Sequence, residues 1–245
     1  IADFDKDGKT EIVASSGYYY NDGIQMFYTN NPKGTWSKHT ITSASYCGAI
    51  NIVDMNEDGY PDILATVGGW SGSANIYRNP FRTASKTSAW PVITAIGGVS
   101  YSYEAKSYDI NADGTLDVVA ASYDGKIYWG RGPKNKDSTS GWNAFTIASG
   151  GVQYPWGVEI CDIDNDGYMD VFVTSRYWWG YNYGKGLHWF EMKDDPQQTW
   201  ELRNLDNSYT ETWGVEVFDA DGNGVEEIYA ATVGGSRIFV SRPTL

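Results

Sequence analysis

Five times along this 245-residue chain the same nine-residue pattern returns: DFDKDGKTE from Asp3, DMNEDGYPD from Asp54, DINADGTLD from Asp109, DIDNDGYMD from Asp162 and DADGNGVEE from Asp219. The shared form is Asp-x-Asp/Asn-x-Asp/Asn-Gly-x-x-Asp/Glu, and the starts lie 51, 55, 53 and 57 residues apart. A period of this size marks stacked structural units rather than one continuous core. Whatever fold the chain adopts must therefore repeat an acidic tight loop about once every 54 residues.

Other features keep the same register. An apolar strand-like segment enters four of the motifs (AINIVD, AKSYD, GVEICD, GVEVFD), and an apolar pair such as Ile63-Leu64 or Val118-Val119 follows each motif. A third segment comes after a glycine-rich loop (GIQMFY, SANIYR, GKIYWG, GLHWFE, SRIFVS). A fourth opens on Trp36, Trp90, Trp142 or Trp200. Short β-prone segments separated by turn residues, with no sustained 3.6 period, predict four strands per unit and an all-β chain. Such a unit cannot bury both of its faces alone, and radial stacking solves this. The expected fold is a β-propeller forming one domain over residues 1–245, with about five visible four-stranded blades. Five full blades at this period need about 270 residues. The expectation is either an imperfectly closed five-bladed ring or, better matched to that arithmetic, an incomplete part of a six- to eight-bladed ring. The chain opens inside a motif, as a processed or cut chain would.

Carboxylates spaced at positions 1, 3 and 5 converge when the backbone curls, and the glycine at position 6 permits the sharp turn. Position 7 offers a carbonyl, and the acid at position 9 can close the shell. Five or more hard oxygens with no Cys or His suit Ca²⁺, whereas zinc and copper want nitrogen or sulfur. A helical calcium loop would need Glu at position 12, where this chain has Ala14, Ala65, Ala120, Val173 and Ala230. Seventeen acids occupy the motif positions, and five Ca²⁺ would move the formal charge from −13 to −3. About five structural Ca²⁺ are expected.

These loops resemble those of the FG-GAP/VCBS repeat family, whose best-known members are the propellers of integrin α subunits. The resemblance spans nearly the whole chain. It implies that each loop joins the first and second strands of a blade and binds Ca²⁺ through positions 1, 3, 5, 7 and 9. Carried over residue by residue, the metal ligands are Asp3, Asp5, Asp7, Lys9 and Glu11; Asp54, Asn56, Asp58, Tyr60 and Asp62; Asp109, Asn111, Asp113, Thr115 and Asp117. The fourth and fifth copies supply Asp162, Asp164, Asp166, Tyr168 and Asp170, then Asp219, Asp221, Asn223, Val225 and Glu227. Lys9, Tyr60, Thr115, Tyr168 and Val225 would serve through their carbonyls.

Strand direction places the remaining loops on the face opposite the acidic ones. They are rich in rings: Tyr19, Trp70, Tyr154, Trp156, Trp178, Trp179 and Trp213 are the candidate ligand-binding residues. Rings interspersed with Asn, Asp, Ser and Gly can bind sugars or the surface of another protein. The expected function is recognition or adhesion outside the cell, with a glycan or protein ligand and neighbouring chains or domains completing the unfinished blade. Extracellular Ca²⁺ is plentiful enough for modest sites. The alternatives are a polysaccharide lyase or hydrolase, for which Glu104, Glu159 and Glu216 are the available acids, and a purely structural segment of a larger surface protein or filament. A net charge of −13 argues against nucleic acid as partner, and no apolar run is long enough for membrane insertion. The two cysteines, Cys47 and Cys161, fall at different points of the repeat and are expected as free buried thiols.

Overall fold

The computed structural model describes residues 1–17, 22–152, 154–175, 186–198, 200–206, 212–224 and 226–232. Within them the chain is all-β, with seventeen strands and one 3-10 turn at Gly69–Ser71. The strands fall into five antiparallel sheets, the blades of a β-propeller.

The first blade holds β1 (Ile12–Ser15), β2 (Ile24–Tyr28) and β3 (Ser37–Thr42), with an isolated bridge from Ala2 to Glu11. The second is a four-stranded meander of β4 (Ile50–Val53), β5 (Asp62–Val67), β6 (Ser73–Tyr77) and β7 (Val92–Gly97). The third repeats it with β8 (Ala105–Tyr108), β9 (Asp117–Ala121), β10 (Lys126–Arg131) and β11 (Asn143–Ser149). The fourth does so with β12 (Pro155–Cys161), β13 (Asp170–Ser175), β14 (Gly186–Glu191) and β15 (Glu201–Asp206). The described part of the fifth pairs β16 (Thr212–Phe218) with β17 (Glu227–Thr232). The SRIFVS segment expected as its third strand lies outside the described residues.

The second strands of the three middle blades explain how the blades stack. Every residue of β5, β9 and β13 is buried, and successive side chains point to opposite sides of a sheet. In β5, Ile63, Ala65 and Val67 pack with Ile24 and Met26 of the first blade, while Leu64 packs with Ala105, Val118 and Ala120 of the third. In β9, Val118 and Ala120 turn to the second blade and Val119 and Ala121 to the fourth. In β13, Val171 and Val173 face the third blade and Phe172 the fifth, against Val215 and Ile228. Every core cluster is thus an interface between consecutive blades.

Along their first strands adjacent blades also touch directly. The Asn51 side chain of β4 donates to the Ala105 carbonyl of β8, and Lys106 Nζ of β8 lies 2.8 Å from Glu159 Oε2 of β12. The tryptophans that open the fourth strands do pack: Trp90 and Trp200 are buried, Trp36 and Trp142 half-buried. Cys47 and Cys161 are free and buried. Among the described residues no helix is long and apolar enough to cross a membrane.

Candidate metal loops and aromatic face

The five acidic segments join the first and second strands and share one geometry. The position-1 carboxylate accepts two backbone N–H groups, from position 5 and from the glycine at position 6. For Asp3 these are Asp7 and Gly8, at 3.2 and 3.0 Å; for Asp54, Asp58 and Gly59, at 3.0 and 2.7 Å. Asp109, Asp162 and Asp219 repeat both bonds. The position-5 carboxylate accepts the position-7 N–H, as in Asp58 from Tyr60 and Asp166 from Tyr168, both 2.9 Å. Each loop needs two left-handed residues. Glycine supplies one at position 6, with φ near 83–92° in all five copies. The other is at position 4, where Lys6, Glu57, Ala112 and Asn165 hold φ of 54–59° and only the fifth copy uses glycine, Gly222. Backbone strain at four non-glycine residues persists only where the surroundings impose it.

Position 2 anchors each loop from below. Phe4, Met55, Ile110 and Ile163 are buried in the blade interfaces, and only the fifth copy has a small residue, Ala220, in that place. Position 9 begins the second strand. Glu11, Asp62, Asp117, Asp170 and Glu227 are at most 1% exposed. Backbone N–H groups tie one oxygen of four of them, Glu11 accepting from Phe4, Asp117 from Gly132, Asp170 from Met192 and Glu227 from Ala220, and both oxygens of Asp62, which accept from Met55 and Asn79.

The second oxygen is the telling one. Asp117 Oδ2 and Asp170 Oδ2 are buried with no hydrogen bond of acceptable geometry, the Trp129 and Trp189 indoles leaning near without completing one. Burial pushes the Asp117 carboxyl up to about 6 and those of Asp62 and Asp170 to about 7, against hydrogen bonds that pull the other way. A carboxylate held out of water with a free lone pair is costly unless a cation compensates it. In three copies the carboxylates converge so that one oxygen from each lies within 4.8 Å of the others: Asp3, Asp5 and Glu11; Asp162, Asp164 and Asp170; Asp219, Asp221 and Glu227. The second and third copies carry Asn at position 3 instead. Asn56 donates to Asp137 at 2.9 Å and keeps its Oδ1 buried without a donor, while Asn111 donates to Asp113 at 3.1 Å. The donor set, all oxygen and mostly anionic, fits a hard divalent cation. Val225 lies outside the described residues.

The loops differ in their basic neighbours. Lys86 Nζ stands 2.7, 3.2 and 3.1 Å from Asp5, Asp7 and Glu11. Burial alone would lower its pKa, but the hydrogen bonds to Asp5, Glu11 and Asp7 outweigh that and hold it above the ordinary lysine value. In the fourth loop, by contrast, burial and the adjacent Asp166 carboxylate raise Asp164.

On the opposite face the aromatic residues form two groups. Trp70, on the turn between β5 and β6, is 69% exposed, and the rings of Tyr101 and Tyr123 meet it edge-on with centroids 4.8 and 5.8 Å away. Tyr46 joins Tyr101 at 5.4 Å and Tyr154 joins Tyr123 at 4.5 Å. The second group stacks Tyr103 on Trp156, with Trp213 edge-on at 5.2 Å. Of the expected ligand-binding residues, Trp70 and Tyr154 thus share one group, and Trp156 and Trp213 the other. Tyr19, Trp178 and Trp179 lie outside the described residues.

Both groups follow the repeat. Tyr46, Tyr101 and Tyr154 stand eight residues before Asp54, Asp109 and Asp162, and all three have positive φ, 54, 38 and 50°. Tyr103, Trp156 and Trp213 stand six before their motifs, and Gly48 takes that place in the second blade. A Cβ on Gly48 would lie 2.2 Å from Thr66 Oγ1 and 2.3 Å from the Tyr103 carbonyl, so a ring cannot fit there. Tyr46, Tyr101 and Tyr103 were not among the residues singled out from the sequence; their common offset from the acidic motif was the signal available. Of the acids available to the enzyme alternative, Glu104 and Glu159 are engaged: Lys106 Nζ is 3.6 Å from Glu104 Oε1 and 2.8 Å from Glu159 Oε2, and Glu104 Oε2 accepts Val158 N–H at 3.2 Å.

A model of the FG-GAP-like repeat matches residues 3–65 and 109–173, two stretches that together cover just over half of the chain. Each runs from one acidic motif into the second strand that follows the next. No curated protein matches significantly in sequence. Among solved structures, an Agrocybe aegerita lectin, studied for specific recognition of non-reducing terminal N-acetylglucosamine, aligns with a TM-score of 0.50 at 15% identity, over 91% of this chain and 60% of the lectin. The chain therefore spans about three fifths of that protein's length. At this identity the likeness bears on the fold alone.

Proposed function

This chain belongs to the FG-GAP-like repeat family, and from that premise we propose that it is an extracellular, calcium-stabilised propeller that binds a glycan through its aromatic face in recognition or adhesion. The observation that carries the reading is Trp70: a large ring left 69% exposed yet held upright by the edges of Tyr101 and Tyr123. An indole that merely filled space would be covered. An indole that is braced and open offers a flat face to the C–H groups of a sugar ring, while Ser100 Oγ, donating to the Trp70 carbonyl at 2.7 Å, fixes the turn beneath it. The strained tyrosines beside it fit a surface whose geometry is imposed rather than relaxed.

Calcium enters this reading as a structural partner. Asp162, Asp164, Asp166 and Asp170, with the Tyr168 carbonyl, would hold it in the fourth loop, and the equivalent residues of the second, third and fifth in theirs. The bound ion would neutralise the buried position-9 acid and lock the turn. That a lectin shares the architecture is compatible with glycan binding. A glycan array probed with the calcium-loaded protein tests the function. Trp70→Ala should weaken the best hit by about 30-fold, the equivalent of ~2 kcal/mol for a hot-spot ring. A blank array would transfer the face to a protein partner.

A further inference from the structure

The five loops look alike in sequence, but the first is surrounded differently. Its convergent acids are Asp3, Asp5 and Glu11, with Asp7 beside them. Into this group reaches one side chain from far along the sequence. Lys86 belongs to the long connection between β6 and β7, in the second blade. That connection is pinned to the first loop on both flanks. Asn79 Nδ2 donates to the carbonyl of Phe4, the position-2 residue of the loop, at 2.9 Å, and Phe81 and Phe4 both meet Trp90 edge-on at 5.4 and 5.7 Å. Between these anchors a turn closed by Ser88 N–H on the Ser85 carbonyl presents Lys86, whose ammonium passes the Tyr28 ring at 5.4 Å from its centroid.

An ammonium carries three N–H donors. Here three carboxylates receive them: Asp5 at 2.7 Å, Glu11 at 3.1 Å and Asp7 at 3.2 Å. Those are motif positions 3, 9 and 5, three of the five that a calcium ion would need in that loop. Other loops have basic neighbours too, but each meets a single acid of the set: Arg78 Nε lies 3.6 Å from Asp62 in the second loop and Arg131 Nη2 lies 3.3 Å from Asp113 in the third. The corresponding connection of the third blade also reaches back toward the preceding acidic loop and also brings a lysine, but Lys136 pairs with Glu57, an exposed position-4 residue outside the ligand set.

We propose that the first acidic loop carries its own cation, the Lys86 ammonium, in place of calcium, so that the chain binds one fewer Ca²⁺ than its acidic motifs suggest. A tethered cation is present at a high effective concentration and needs no dissolved ion. The first blade is therefore closed against the second whether or not calcium is present. The inference rests on the calcium reading of the other loops, and the experiment separates the two.

Native mass spectrometry with Ca²⁺ as the only added ligand counts ions per chain in four proteins: wild type, Asp5→Asn, Lys86→Met and the double variant. The expected result is an equal count for wild type and Asp5→Asn, one ion more for Lys86→Met, and loss of that extra ion in the double variant. A count that drops by one in Asp5→Asn, or that fails to rise in Lys86→Met, overturns the inference. Should wild type bind no calcium while Lys86→Met gains one ion, the internal cation stands and the calcium reading of the other loops falls. No ion in any of the four sinks both. If Lys86→Met does not fold, the wild type and Asp5→Asn pair decides alone.

Discussion

The two faces of this propeller are built from the same repeat and treat it differently. On the acidic face the repetition extends to the atom: five position-1 aspartates accept N–H groups from positions 5 and 6, and five position-9 acids are buried. On the aromatic face one tyrosine recurs, as Tyr46, Tyr101 and Tyr154, and at other sites the repetition is one of place only. The site six residues before each motif holds Gly48, Tyr103, Trp156 and Trp213, and the site in the first strands holds Asn51, Lys106, Glu159 and Glu216. A requirement that is the same in every blade, such as closing a tight turn on a cation, yields identical residues. A surface that meets an asymmetric partner yields different ones at equal positions.

Removal of calcium should break this comparison hardest. A ligand present at 100 times its dissociation constant contributes about 2.7 kcal/mol per site, so stripping two or more loops with a chelator should lower the melting temperature by on the order of 10 °C. An unchanged melt by calorimetry would remove the metal from the acidic face. Asp170→Asn is next in size. It keeps the acceptor for Met192 N–H and loses the charge beside the orphaned Oδ2. In calcium the melt should fall by about 5 °C. In chelator the variant should equal or exceed wild type, because a buried charge without its counter-ion has been removed. A loss of equal size in both conditions would make Asp170 a packing residue only.

Gly48→Ala tests the other face. The added methyl meets the Tyr103 carbonyl and Thr66 Oγ1, and overpacking of this kind costs about 1–3 kcal/mol. The melt should fall by about 2–8 °C with or without calcium, and a tolerated methyl would show that the blades approach less closely here. Trp70→Ala should have the smallest effect on the melt, about 1 °C or less for a largely exposed ring, alongside the large loss of binding expected above. A destabilised Trp70→Ala protein would mean that the ring is part of the packing after all.

The sequence made the blades legible because each unit carries its own punctuation. The Asp-x-Asp-x-Asp-Gly turn locates β4–β5 and its equivalents, and a tryptophan announces the fourth strand. What escaped is what depends on neighbours. The left-handed backbone at position 4 leaves no mark in Lys6, Glu57, Ala112 or Asn165, since glycine appears there only as Gly222. Burial of Asp62, Asp117 and Asp170 follows from their place at the start of strands covered on both sides, not from their being acidic. Lys86 lies 75 residues from Glu11 and reaches it only because Phe81 and Trp90 fasten its loop to Phe4. Of the aromatic face, the individual rings could be named but not grouped: that Tyr154 belongs with Trp70 and Trp156 with Trp213 is decided by how successive blades turn against one another.

The alternation along β5, β9 and β13 has a further consequence. Because each of these strands divides its side chains between the blade before and the blade after, cohesion is shared strictly between immediate neighbours, like cards held edge to edge in a fan. Among the described residues, units two places apart share no buried cluster. A blade can therefore change its outward loops, and the adjustment is absorbed within one seam on either side. This is how a chain of near-identical parts can leave one rim uniform while the other diversifies.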